Sequence, residues 1–188
     1  DMGALGKNEE TAYTLLDQID FVIKNKKRTP KKILEIGSGR GEVVCFLSQM
    51  GYDVVCIEPG SGAKRWHDET SLRLFNKPSN YTLLNGSVTE FIEHPELTGV
   101  DTVLMVESLE HILEEDFDPF YQKIVTVLDK TKGVFIAVNW IDYHPIAVGQ
   151  YAPPENHCRL TDDNLYDKMT LDFAKCNYRN GSHLWLSK

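Results

Sequence analysis

Cysteine, long apolar runs and positive charge are all scarce in this chain. The four cysteines, Cys45, Cys56, Cys158 and Cys176, are scattered and form no C-x-x-C pair. They read as buried small hydrophobes rather than a disulfide framework, and a reducing, cytoplasmic setting is expected. No stretch approaches the roughly 18 consecutive apolar residues of a membrane helix. Residues 1–6 lack a basic stretch followed by an apolar one, so no leader is expected either. Twenty Lys and Arg stand against 28 Asp and Glu, a net charge of −8. Such a surface repels a phosphate backbone, which argues against an extended nucleic-acid interface. Repeats, low-complexity tracts and linkers are missing too. The 188 residues, 41% hydrophobic and 26% charged, fit a single globular domain.

What is present alternates between two periods. Residues 8–27 carry apolar positions at helical spacing (Ala12, Leu15, Leu16, Ile19, Val22, Ile23), a leading helix within residues 1–30. Apolar strand-like runs follow at 32–36, 53–57, 81–84, 102–106 and 134–138. Helical patterns lie between them, at 43–47, 63–75, 89–94 and 117–128. Alternating strand and helix predicts a parallel sheet covered on both faces, with residues 31–138 as its core. Residues 139–160 have no period and are expected to form a substrate loop. A short helix at 162–169 precedes runs at 171–178 and 183–186, and Asn180-Gly181 between these runs signals an antiparallel hairpin. Residues 161–188 thus read as helix and hairpin.

The first strand runs into Gly37-Ser38-Gly39-Arg40-Gly41. A glycine turn between strand and helix lets a ligand lie against bare backbone at a helix N-terminus. Glu58 ends the second strand 21 residues beyond Gly37, where such folds place the carboxylate that receives ribose hydroxyls. An adenosine-type ligand is therefore expected. The dinucleotide pattern G-x-G-x-x-G is not met, because Glu42 stands where its third glycine would fall. Glu35, two residues ahead of Gly37, would oppose a phosphate yet could hold an ammonium group. A sulfonium amino acid joined to adenosine satisfies both conditions.

With Glu35-Ile-Gly-Ser-Gly-Arg-Gly41, Glu58 and Val106-Glu-Ser-Leu-Glu-His-Ile112, the chain resembles the class I S-adenosylmethionine-dependent methyltransferases from about residue 32 onward. The resemblance implies a Rossmann-like three-layer α/β sandwich, a mostly parallel seven-stranded sheet with a C-terminal antiparallel hairpin. It implies S-adenosylmethionine as cofactor, with Glu35, Gly37, Ser38, Gly39 and Gly41 at the methionine end and Glu58 at the ribose. Ser87 stands where the family often has an adenine-binding Asp, beside Val88, and Glu107 completes the cofactor set.

Glu107, Glu110 and His111 follow the fourth strand, at the edge where open α/β sheets present groups to ligands. His111 can take the proton of a hydroxyl acceptor, while Glu107 or Glu110 orients it. His157 lies 46 residues further on, in the substrate loop. Two readings compete for these four residues. The favoured one is catalysis without a metal on a small-molecule acceptor at oxygen, as in quinone-type O-methyltransferases, which the cluster also resembles. The alternative resembles enzymes that methylate the terminal 2′-hydroxyl at the 3′ end of small RNAs, with Glu107, Glu110, His111 and His157 holding a divalent cation. A third reading is a non-catalytic subunit that binds S-adenosylmethionine. No D/N-P-P-Y tetrapeptide and no Pro-Cys pair occurs, which argues against methylation of DNA base amines or the cytosine ring. Trp140, Tyr143, His144 and Tyr151 are candidates for an aromatic acceptor pocket. Trp66, His67, His94 and His183 have no acidic partners in sequence, and structural roles are expected for them.

Overall fold

The computed structural model of the protein describes residues 29–106, 108–109, 112, 114–138, 173–179 and 182–187. Five parallel strands form the body of one sheet: β1 (Lys32–Ile36), β2 (Asp53–Glu58), β3 (Thr82–Asn85), β4 (Thr102–Val106) and β5 (Val134–Val138). The backbones of β6 (Phe173–Arg179) and β7 (Ser182–Ser187) extend it, β7 lying antiparallel to both β5 and β6. The spatial order is β3-β2-β1-β4-β5-β7-β6. Between the parallel strands lie α1 (Glu42–Gln49), α2 (Ala63–Phe75), α3 (Val88–Phe91) and α4 (Glu114–Asp129). The leading helix, the 139–160 loop and the 162–169 helix read from the sequence lie outside the described residues.

Period-two alternation divides the strands between two cores. Ile33, Val54, Cys56, Leu104, Val134 and Ile136 pack on Val43, Val44 and Leu47 of α1 and on Phe75 of α2. Their neighbours Leu34, Val55, Ile57, Val103, Met105 and Phe135 face Phe117, Phe120, Tyr121, Ile124 and Leu128 of α4. Helices therefore cover both faces, and this is why the strands read as largely apolar runs. The α/β sandwich is Rossmann-like.

The strand starts are fastened by one acid. Asp101, 2% exposed, accepts the Lys31 amide at 3.1 and 3.0 Å. Its own amide donates to the Lys32 carbonyl, and its carbonyl accepts the Val134 amide. A single buried side chain and its peptide groups thus join the beginnings of β1, β4 and β5.

Candidate active site

The glycine turn sits at the opposite, carboxyl edge. The Gly37 amide donates to the Ile57 carbonyl at 2.9 Å, one step beyond the β1–β2 ladder, and the Gly41 amide closes the turn onto Ser38 O at 2.8 Å. Two of its glycines are required by close approach as well as by positive φ. A Cβ on Gly37 (φ +76°) would lie 2.6 Å from Ser108 Cβ, and one on Gly41 (φ +83°) 2.6 Å from the His67 ring. Ser108 also donates its hydroxyl to Ile36 O at 2.8 Å, so the segment leaving β4 is tied to the end of β1. His67 reaches the turn from α2, its Nε2 3.2 Å from Ser38 Oγ.

Three acids surround this turn. Glu58 accepts the Gly39 amide at 2.7 Å through Oε2 and the Gly60 amide at 2.8 Å through Oε1. A carboxylate offers about four lone-pair positions, so Glu58 is oriented by the backbone yet retains capacity for ligand hydroxyls. Asn85 steadies the adjoining turn, donating to Glu58 O at 2.6 Å and Gly60 O at 2.9 Å. Trp66 packs on the same turn, because a Cβ on Gly60 or Gly62 would strike its indole.

Glu35 is 2% exposed and lies in register between Cys56 and Leu104. Its Oε2 is buried without a hydrogen-bond partner. Burial, reinforced by the negative charges of Glu42 and Glu58, pushes its pKa up to about 8, against a weaker pull downward from the Val44 backbone. Glu42 begins α1, where the helix dipole favours an anion. Its buried Oε1 makes no hydrogen bond, although Arg73 Nη2 approaches within 3.6 Å; at that length the contact is an ion pair only. The glycine turn is thus lined by acids, two of whose buried oxygens, Glu35 Oε2 and Glu42 Oε1, accept no hydrogen bond.

The structure brings Glu35, Gly37, Ser38, Gly39, Gly41 and Glu58 to one place. Ser87 and Val88 begin α3 one step beyond β3, since the Gly86 amide donates to Glu58 O at 3.0 Å. Ser87 is engaged locally, its amide by Glu90 Oε2 and its hydroxyl by Thr89 Oγ1, both at 2.7 Å. Glu107, Glu110, His111 and His157 lie outside the described residues, as do Trp140, Tyr143, His144 and Tyr151. Around the acidic cluster the described residues are Ser108, with its bond to β1, and Leu109 and Ile112, which pack in the α4-side core.

Sequence reasoning missed Ser108, Asn85 and the site-facing position of His67. Their contacts span 72, 27 and 29 residues, and no local period encodes such distances. The one available signal for His67 was a histidine at helical spacing from Ala63, Thr70 and Ser71, on a helix whose N-terminus follows Glu58.

A Rossmann-like α/β fold with an acid-lined glycine turn at its carboxyl edge defines the class as a nucleoside-binding one. The family model described as "Methyltransferase domain" matches residues 34–137. The chain belongs to this family and is a class I methyltransferase whose methyl donor is S-adenosylmethionine. Solved structures are similar in fold at low identity. The magnesium protoporphyrin IX methyltransferase of Synechocystis PCC 6803, with bound SAH, is 11% identical with a TM-score of 0.66, over 100% of this chain and 89% of that one. The plantazolicin methyltransferase BpumL, in complex with a triazolic desmethyl analog and SAH, is 13% identical with a TM-score of 0.68, over 98% and 87%. The PH0226 protein of Pyrococcus horikoshii OT3 is 15% identical with a TM-score of 0.65, over 95% and 91%. No curated protein sequence matches the chain significantly.

Proposed function

We propose that this single domain methylates a small-molecule acceptor at oxygen, within the cytoplasm. The observation that carries the cofactor site is the buried Glu35 Oε2, which has no hydrogen-bond partner, beside a glycine turn whose Gly39 amide is held by Glu58. Bound S-adenosylmethionine supplies an electrophilic methyl group and departs as a neutral thioether. Glu35 faces the donor's ammonium end, Gly37, Ser38, Gly39 and Gly41 give it bare backbone, and Glu58 receives the ribose hydroxyls. Ser87 and Val88 would serve the adenine, and the family resemblance adds Glu107 to the cofactor set. His111 takes the acceptor's proton as the new oxygen–carbon bond forms, with Glu107 or Glu110 orienting the ring. Most of the rate then comes from alignment and exclusion of water, which contribute up to about 7–11 kcal/mol in favourable cases.

A net charge of −8 supports a compact acceptor over a nucleic acid. So do two similar structures, named for magnesium protoporphyrin IX and plantazolicin. The competing reading, a cation held by Glu107, Glu110, His111 and His157 for 2′-O-methylation of an RNA 3′ end, rests on that residue pattern. Radiolabelled methyl donor offered to panels of hydroxylated small molecules and short RNAs, with and without EDTA, separates the two. Small-molecule turnover that survives EDTA and falls at least about 100-fold in His111→Ala, the lower range of a general base's contribution, is the expected result. RNA labelling that requires manganese would overturn it.

A further inference from the structure

Beyond the residues placed at the ligand, we propose that His67 is a positioning residue for the cofactor turn: through Ser38 and Gly41 it holds the bare backbone in the geometry that receives S-adenosylmethionine. The inference rests on the cofactor site described above. His67 is fully buried on the inner face of α2, which it shares with Ala63, Thr70 and Ser71. A polar ring costs free energy there, the more so because Nδ1 has no hydrogen-bond partner among the described residues. Simple packing would be better served by an apolar ring.

What the imidazole adds is a bond into the turn. Nε2 meets Ser38 Oγ at 3.2 Å, and the ring occupies the space that Gly41 leaves open by lacking a Cβ. The ring is itself confined. Tyr81 lies against it with centroids 5.4 Å apart, and Cys45 Sγ approaches the His67 carbonyl at 3.7 Å. Burial holds the imidazole below its ordinary pKa, outweighing the Gly39 backbone and the Glu58 charge, so the ring is neutral at physiological pH. One contact at each end of a five-residue turn, from a side chain with little freedom to move, removes conformations that a ligand would otherwise have to order.

Calorimetric titration of S-adenosylmethionine into wild type, Ser38→Ala, His67→Phe and the double variant tests this. Phe keeps a ring against Gly41 and loses the bond. Each single change should weaken binding about three- to tenfold, the size of one hydrogen bond, and the double variant should bind no more weakly than the worse single one. His67→Gln, which keeps a polar terminus near Ser38, should restore most of the affinity, while kcat at saturating donor changes little. Should His67→Phe fail to fold, His67→Asn takes its place in the cycle. Two independent losses that multiply in the double variant, or a lowered melting temperature with unchanged affinity, would overturn the inference and leave His67 as packing. Wild type that binds no S-adenosylmethionine would instead refute the cofactor site, and the inference with it.

Discussion

Glu35 is a strand residue whose neighbours in register are Cys56 and Leu104, and its protonation is expected to affect both stability and donor affinity. Burial lifts its pKa from 4.5 to about 8. Between those values the folded protein keeps a proton that the unfolded chain has released, so this group's contribution to stability falls as pH rises from 4.5 to about 8. His67, with its pKa lowered from 6.5, acts in the opposite sense below that pH. The difference between wild type and Glu35→Gln is therefore the readout. Melting curves of ligand-free protein between about pH 5 and 8 should show the wild type losing stability relative to Glu35→Gln; parallel curves would contradict the assignment. Donor affinity should move the other way, rising toward pH 8 in wild type and staying flat in the variant, because a cationic ligand favours the ionised carboxylate. At this scale the sequence was informative where chemistry is local. Gly37, Gly39, Gly41 and Glu58 announce themselves by spacing, whereas the burial that makes Glu35 unusual depends on strands brought together from elsewhere in the chain.

Helix α4 shows what an element contributes. Phe117 is completely buried and stacks on Tyr121 with centroids 6.0 Å apart. Phe117→Ala should cost about 3–5 kcal/mol, the usual range for an emptied aromatic site, read as a lower urea midpoint with unchanged slope. The strands β1, β4 and β5 were legible to the residue, because burial on both faces leaves a largely apolar run, interrupted within β1 by Glu35. Helices were legible in kind and less so in extent. The sequence pattern starts α4 at residue 117, near the first-turn position that Pro119 favours, yet the helix begins at Glu114 and carries Pro119 inside it. Residues 89–94 read as one helix, and the chain instead forms α3, stops, and makes a one-turn 3-10 helix at Pro95–Leu97. Pro95 disfavours α geometry at His94, which is extended at ψ 136°.

For the whole molecule, cofactor binding couples to folding by mass action. At a donor concentration about 100 times Kd, stability should rise by about 2.7 kcal/mol, several degrees in melting temperature for a chain of this size. Scanning fluorimetry with S-adenosylmethionine and with its demethylated product checks this, and no shift with either would count against the site. The fold class was legible as a whole because strand and helix alternate throughout, while the acceptor was not, since the residues expected to choose it follow no period.

Asp101 has a consequence for how the protein can change. It laces the central strands together at the sheet edge remote from the glycine turn, so damage there and damage at the turn are separable. Asp101→Ala leaves the Lys31 amide partnerless in a part-buried site and should cost about 1–3 kcal/mol in denaturation with little effect on donor affinity. A hem stitched firmly on one side lets the opposite margin be recut for new acceptors without the cloth unravelling.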